Sequence, residues 1–195
     1  MSATALDASA PSARQRLLGA ALERFAADGP VAVSLDDIRR HAGVSVGALY
    51  HHFADKSALV DELYIQLTEQ FQAEFLDQLR NQPAAEGAIK AGVGFYLRWV
   101  SRNRAGASVL LGHRPTSPRL IALNREFLAE LKSWWSTHVH YGTLRSLPLD
   151  LVHALWFGPA HEYTRQWLDG QRTRPPTNAT DLLAQAAWET LKEPR

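Results

Sequence analysis

Residues 34–56, with the sequence SLDDIRRHAGVSVGALYHHFADK, predict two short helices joined by a tight turn at Gly43. Glycine is the least costly residue where a helix ends and the backbone turns sharply. The apolar contacts of this unit are expected from Ile38, Ala42, Val44 and Leu49. A helix-turn-helix of this size has one main use, which is to place its second helix in the major groove of DNA. The stretch therefore predicts a DNA-binding function.

Capping residues within this stretch and before it predict where the N-terminal helices begin. The expected N-caps of four successive helices are Ser12, Ser34, Ser45 and Asp55. Gln15 completes a capping box with the first of them, and Gly29 with Pro30 ends that first helix. The fourth helix is long, to about residue 81. Its apolar residues step by four: Leu59, Leu63, Leu67, Phe71 and Phe75.

Helical patterns continue to the end of the chain. Ser117 and Pro118 form a cap followed by a first-turn proline, and another helix runs from Pro148 to about residue 169. Asn178 is expected to cap the last helix, which ends near Leu191. No segment alternates like a strand, so the fold class is all-α. We expect a disordered arm over residues 1–11, a three-helix helix-turn-helix DNA-binding domain over 12–54, and a helical bundle over 55–195.

Composition limits the class of protein. The chain has 195 residues, 46% of them hydrophobic, which is typical of a globular protein with a real core. It contains no cysteine, which excludes disulfides and thiolate metal sites and agrees with a cytoplasmic location. No apolar run is long enough to span a bilayer, and no signal sequence opens the chain. The net charge of +1 leaves DNA binding to a local basic face.

The order and spacing of several motifs resemble the tetracycline-repressor (TetR) family of bacterial regulators over roughly residues 14–63. The motifs are Phe25-Ala-Ala-Asp-Gly29, Ser34-Leu-Asp-Asp-Ile38, Ala42-Gly-Val-Ser45, Gly47-Ala-Leu-Tyr50, His52-Phe53, and Lys56 with Leu59. The remainder of the chain agrees with the family in length and helix count. One departure is Arg39, which stands where the family usually has a small alanine. The helix should tolerate this residue if its side chain points outward, where it could also reach a phosphate.

The resemblance implies a set of DNA-binding residues. They are Ser34, Ser45, Val46, Gly47, Ala48, Tyr50, His52 and Lys56, and beside them Arg39, Arg40 and His51 join Ser45 as the candidates for polar contacts with the bases. The chemistry agrees, because a helix N-terminus offers amides to phosphate and small apolar side chains can contact thymine methyl groups. The alternatives are that Tyr50 is a core ring, that the two histidines form a solvated helix end, and that the two serines are only helix caps.

The resemblance also implies an effector pocket among the C-terminal helices. The candidate ligand-binding residues are Phe71, Phe75, Tyr96, Trp99, Trp134, His138, Tyr141 and Trp156, although an aromatic stripe is more often core. A basic stretch follows, with arginines at 98, 102, 104, 114, 119 and 125. It indicates either a solvated face paired with acidic residues of the fourth helix or a pocket for an anion. No metal or other cofactor is predicted, because His138 and His140 point to different sides of a helix.

The last two helices carry apolar residues on two sides, which favours a partner. In the family such a pair forms a four-helix dimer bundle, and the candidate interface residues are Leu151, Leu155, Tyr163, Leu183, Ala187 and Leu191. The expected function is a homodimeric, ligand-responsive repressor on a palindromic operator, released by a small, largely apolar effector. The alternative is a DNA-binding dimer without an effector. An enzyme is not expected, because no nucleophile, acid pair or phosphate loop stands out.

Overall fold

A computed structural model describes residues 10–112, 115 and 117–194 of the chain, and over these residues the protein is helical. The helices are α1 Ala13–Ala32, α2 Leu35–His41, α3 Val46–His52, α4 Lys56–Arg80, α5 Ala85–Arg102, α6 Arg104–Gly112, α7 Pro118–His140, α8 Leu149–Leu168 and α9 Thr180–Leu191, with a 3-10 helix at Pro176–Ala179 before α9. The predicted all-α class is confirmed. Residues 1–9 of the predicted disordered arm lie outside the described residues.

The chain forms two compact units, Met1–Leu63 and Tyr64–Arg195. The division falls within α4, so this helix contributes residues to both units. The predicted domain limits of 12–54 and 55–195 stay a prediction.

Capping interactions shape the N-terminal unit as the sequence predicts. Ser12 Oγ accepts a hydrogen bond from the Gln15 amide, and Gln15 Oε1 accepts one from the Ser12 amide, at 3.2 and 2.9 Å. Helical geometry is interrupted at Gly29, where φ is +78°. The helices then bury one apolar face each, with Leu17, Phe25, Ile38, Leu49 and Leu59 among the core residues.

The C-terminal unit is built around α5, which is buried along most of its length and packs against α8 and α9. Gly92 allows two aromatic rings to pack closely on α5, because a Cβ there would lie 3.0 Å from Trp156 and 3.1 Å from Phe75. The Trp156 indole also donates to the Ile89 carbonyl oxygen at 3.0 Å. The largest core side chain is therefore both hydrogen-bonded and held against the α5 backbone.

The start of α9 differs from the prediction. Asn178 lies within the 3-10 helix, and α9 begins after Ala179 with no side chain capping its N-terminus. The prolines at 175 and 176 cause this difference, because they favour a tight turn. The predicted capping residue, Asn178, becomes part of this turn. At the other end of α9, Arg145 N donates to Leu191 O at 3.0 Å, which ties the end of the helix to the α7–α8 connection.

Candidate DNA-binding surface and effector cavity

The turn between α2 and α3 depends on Gly43, whose φ is +62°. This left-handed conformation lets the Gly43 amide donate to Arg40 O at 3.1 Å and the Val44 amide to Arg39 O at 3.2 Å. The chain then enters α3 through Ser45, whose Oγ accepts from the Ala48 amide at 3.2 Å. The backbone hydrogen bonds of the turn and the Ser45 cap thus both hold the start of α3 in place.

Helix α3 has one buried anchor and a broad exposed face. Leu49 is 2% exposed and fixes the helix to the unit, whereas Val46 is 55% and Tyr50 59% exposed. Tyr50 is therefore not a core ring. Further predicted residues at or near this face are exposed as well: Ser45, Gly47, His51 and His52. The rest of the unit does not need these side chains for packing.

The two arginines of α2 are already engaged within the unit. Arg39 is half-buried, with Nε 2.7 Å from Asp36 Oδ1 and Nη1 donating to Val44 O at 3.1 Å. Arg39 thus does not point freely into solvent, because the turn offers its guanidinium a carbonyl and a carboxylate. Arg40 remains exposed and pairs with Asp36 and Asp37. Exposed pairs of this kind are weak, so the Arg40 guanidinium can change partner at little cost.

Ser34 caps α2 through a reciprocal capping box. Its Oγ accepts from the Asp37 amide at 3.1 Å, and Asp37 Oδ2 accepts from the Ser34 amide at 3.1 Å. The Ser34 hydroxyl also hydrogen-bonds to the Asp37 carboxylate, which lowers the pKa of that carboxyl group below its ordinary value. The capping role of Ser34 is thus present whether or not the hydroxyl also reaches a phosphate. Lys56, at the start of α4, is half-buried.

A cavity of about 70 Å³ lies in the C-terminal unit between α4, α5, α7 and α8. Its lining is almost entirely aromatic: Phe71, Phe75, Tyr96, Phe127, Leu131, His153, Phe157 and His161. Three of these residues, Phe71, Phe75 and Tyr96, are among the candidates read from the sequence. The α8 residues 153, 157 and 161 were missed, although their spacing of four residues places them on one helix face and could have revealed them.

Five candidate ligand-binding residues do not line this cavity. Trp156 is core, and Trp99 is buried behind Phe71, with ring centres 5.2 Å apart. Trp134 and His138 pack on each other with ring centres 4.5 Å apart, and burial lowers the pKa of His138. Tyr141 is 76% exposed because it follows the last turn of α7. Helical spacing alone did not show which side of α7 faces the cavity.

The basic stretch does not line the cavity, so the expectation of an anion pocket there finds no support. The described arginines of this stretch are exposed: Arg98, Arg102, Arg104, Arg119 and Arg125. Arg104 covers the Trp167 ring and donates to Leu168 O at the end of α8. Arg119 lies 3.6 Å from Glu69 of α4, as the solvated alternative implied. Arg114 lies outside the described residues.

The candidate dimer residues fall into two groups. Leu151 is 43% exposed, and Leu155, Tyr163 and Leu183 are half-buried. Ala187 and Leu191 are 4% and 0% exposed. These last two were wrongly assigned to an interface, because they pack into the core of their own protomer and have no surface for a partner to cover. Leu182, which is 75% exposed, was missed.

Tyr96 is a buried phenol at the wall of the cavity. Its hydroxyl lies 2.8 Å from Thr164 Oγ1, and Thr164 in turn donates to a backbone carbonyl of α8. Burial raises the pKa of Tyr96 to about 12 despite this hydrogen bond. The Tyr96 hydroxyl therefore keeps its proton at neutral pH and well into the alkaline range.

Two negative findings apply to the part of the chain that the structure describes. It holds no group of three or more histidine, aspartate or glutamate side chains placed to bind a metal ion. It also holds no helix that is long and apolar enough to cross a membrane.

A short exposed helix presented by a glycine turn defines a helix-turn-helix protein of the DNA-binding class. The family model for bacterial regulatory proteins of the tetR family matches residues 17–63, which contain this motif. This N-terminal part of the chain is therefore similar to the DNA-binding domain of the tetR family.

Individual relatives agree with this assignment. TtgW of Pseudomonas putida, an uncharacterized HTH-type transcriptional regulator, is 34% identical over 84 residues, which are 43% of this chain and 63% of TtgW. The match thus spans less than two thirds of that relative. Its name is that of a regulator, which supports the expectation that this chain is not an enzyme.

Two crystal structures share the fold over most of the chain. A TetR family transcription regulator from Marinobacter aquaeolei VT8 superimposes with a TM-score of 0.77 at 19% identity, covering 93% of this chain and 96% of that one. FadR from Bacillus subtilis, solved in complex with stearoyl-CoA, gives 0.73 at 18% identity, covering 88% and 96%. At these identities the similarity shows the fold alone.

Replacing Tyr96 by Phe should change the response to alkaline pH. An unfolded tyrosine titrates near 10, so between pH 10 and 12 the unfolded chain loses this proton while the folded chain keeps it, and wild-type stability falls. The stability of Tyr96→Phe relative to wild type should rise over this range by up to about 2 to 3 kcal/mol. Urea unfolding at several pH values measures this difference. The exposed control Tyr141→Phe should show no such trend, and a pH-independent difference for Tyr96→Phe would contradict the assignment.

Proposed function

We propose that this protein is a cytoplasmic transcriptional repressor that binds a palindromic operator as a homodimer and is released by a small, largely apolar effector. The observation that carries the proposal is the exposed face of α3, which is anchored by Leu49 but presents Val46 and Tyr50 to solvent. Exposed apolar side chains on a helix that a turn holds in place can contact the base edges of the major groove.

The α3 surface suits the major groove of DNA. Val46, Gly47 and Ala48 offer methyl groups or close backbone approach, and the α3 N-terminus offers amides to a phosphate. Polar contacts with the DNA would come from other residues of this surface: Ser34, Arg40, Ser45, Tyr50, His51, His52 and Lys56. Arg39 contributes indirectly, since it holds the turn in place.

A homodimer is proposed because a single seven-residue helix makes few base contacts, and two-fold symmetry doubles them on a palindrome. The exposed Leu151 and Leu182 on α8 and α9 support an interface there. Leu155, Tyr163 and Leu183, which are partly exposed on the same two helices, would extend it.

An effector role rests on the aromatic cavity. FadR of the same fold was crystallised with stearoyl-CoA, so the fold is compatible with a bound apolar molecule. The cavity here, about 70 Å³, points to something much smaller. Such a molecule lowers operator affinity only if it binds more tightly to the conformation that does not fit the operator. The alternative is a DNA-binding dimer without any effector.

Gly47→Ala tests the DNA surface. A Cβ at residue 47 would meet nothing within 4 Å, so alanine should stabilise the helix by up to about 1 kcal/mol. On an operator selected from random duplexes, the added methyl should weaken binding about tenfold by fluorescence anisotropy, because it crowds the groove. Gly19→Ala, on α1 and equally open, is the matched control and should leave DNA affinity unchanged. Unaltered binding by Gly47→Ala would remove this surface from the DNA contact.

Leu182→Glu and Leu151→Glu test the dimer interface. Both leucines are exposed in the protomer, so the variants should fold, yet a carboxylate buried at an interface costs several kcal/mol. Light scattering should therefore show a folded monomer where the wild type is a dimer. Ile121→Glu, an equally exposed apolar residue on α7, should remain dimeric. Dimers for both leucine variants would place the interface elsewhere.

Filling the cavity tests the effector response. Toluene at saturation should raise the Tm of the wild type and lower its operator affinity. Leu131→Phe fills the cavity and should abolish both effects while retaining operator binding, whereas the exposed control Leu128→Phe should keep them. If no apolar compound shifts the wild-type Tm in a thermal screen, the alternative without an effector is favoured.

A further inference from the structure

Helix α8 places two histidines side by side at the aromatic cavity. His153, Phe157 and His161 follow one another at intervals of four residues, so they share one helix face, and all three line the cavity. The centres of the two imidazole rings are 5.4 Å apart, and they lie 5.8 and 5.9 Å from the centre of the Phe157 ring. The α8 wall of the cavity thus carries a pair of neighbouring imidazoles.

The imidazole pair stands where the cavity reaches solvent. Of the described residues that line the cavity, only His153 is exposed, and His161 is half-buried. On the inner side, Phe75 and Leu131 are buried. A ligand can therefore keep a polar group beside the histidines, where it stays partly hydrated, while its apolar body lies among the buried side chains.

The third polar side chain of the cavity, Tyr96, directs its proton into the protein. Thr164 Oγ1 donates to the carbonyl oxygens of Ala160 and His161, each at 2.9 Å. Because a hydroxyl has a single proton, the 2.8 Å contact between Tyr96 and Thr164 is a hydrogen bond that Tyr96 donates. Of the polar side chains that line the cavity, the two imidazoles are therefore the ones that can donate to a ligand.

The charge that this wall can adopt selects the ligand. None of the described lining residues is acidic, and the two histidines are the ones among them that can become cationic. A carboxylate favours the protonated form of an imidazole, whereas an ammonium group opposes it. An anion beside both rings also offsets the repulsion between two neighbouring cations. Both nitrogens of a protonated imidazole are donors, so this preference does not depend on how either ring is turned.

We propose that the effector is a small aromatic carboxylate, whose ring lies in the cavity and whose carboxylate is bound by His153 and His161 at the mouth. The proposal rests on the proposed function, since it names the class of effector that the cavity accepts. The positive charge comes from the histidines of α8 and not from the described arginines of the basic stretch, which do not line the cavity.

Four probes of similar size test the class on the full-length protein near neutral pH, by isothermal titration calorimetry. They are benzoate, its neutral analogue benzamide, toluene and benzylammonium. We expect benzoate to bind at least about tenfold more tightly than benzamide, because hydrogen bonds to a charged group are the stronger ones. Benzylammonium should bind more weakly than toluene, since its charge would lack a counterion. In a purely apolar cavity, toluene would bind most tightly and both ions most weakly.

Changes of charge at the exposed histidine test the residues. His153→Gln keeps a hydrogen-bonding side chain without a positive charge, so it should reduce the preference for benzoate over toluene at least about tenfold. His153→Glu should make benzylammonium bind more tightly than benzoate, because a carboxylate then stands at the mouth. Both variants should fold, since the residue is exposed. His161→Gln should act in the same direction as His153→Gln. His140→Glu, at an exposed histidine of α7 that does not line the cavity, is the matched control and should keep the benzoate preference.

The outcomes separate this inference from the proposed function. Toluene binding with benzoate no tighter than benzamide, or a benzoate preference that survives both His153→Gln and His153→Glu, overturns the inference and leaves the effector cavity standing. Tighter binding of benzylammonium than of benzoate to the wild type overturns the anionic class. Benzoate that binds as expected without lowering operator affinity supports the carboxylate site and overturns its role as an effector site. If none of the four probes binds, the effector role of the cavity falls together with the inference.

Discussion

The left-handed turn at Gly43 is the constraint on which the DNA-binding unit depends. A φ of +62° at this position sends the chain from α2 into α3, and no other residue type adopts it at so little cost. The guanidinium of Arg39 then closes the turn from the side by bonding Val44 O, while Leu49 anchors the second helix. The exposed residues of α3 are positioned by this turn and need no packing of their own.

Charge in this unit is balanced locally. The exposed Arg40 is shared between two carboxylates of its own helix, and His41 lies 2.7 Å from Glu23. Such contacts place carboxylates beside basic side chains, and over the whole chain 21 lysines and arginines against 20 aspartates and glutamates leave a net charge of +1. Because these contacts are exposed and screened by salt, a phosphate can replace a carboxylate at small cost. A modest overall charge is therefore no obstacle to DNA binding.

The C-terminal unit combines a densely packed centre with a small cavity between aromatic rings. Gly92 lets Trp156 and Phe75 approach the α5 backbone, which gives the unit a close-packed centre. The rings around Phe75 meet it mostly edge to face, at centre distances between 5.6 and 6.2 Å. Rigid rings in such arrangements leave gaps that aliphatic side chains would fill. The cavity lies where Phe71 and Phe75 of α4 meet Phe127 of α7 and Phe157 of α8.

The sequence by itself determined the helices and the DNA-binding motif, because caps and a glycine turn act through neighbours in the chain: Ser34 and Gly43 are found as their local chemistry requires. It also identified the aromatic stripe of α4. Only the tertiary structure decided which sides of α7, α8 and α9 face the core, so Tyr141 proved exposed and Leu191 buried, although both fit an apolar face. The reason is physical: helical periodicity shows that residues share a face, whereas the neighbour that covers this face is chosen by packing among segments far apart in the chain.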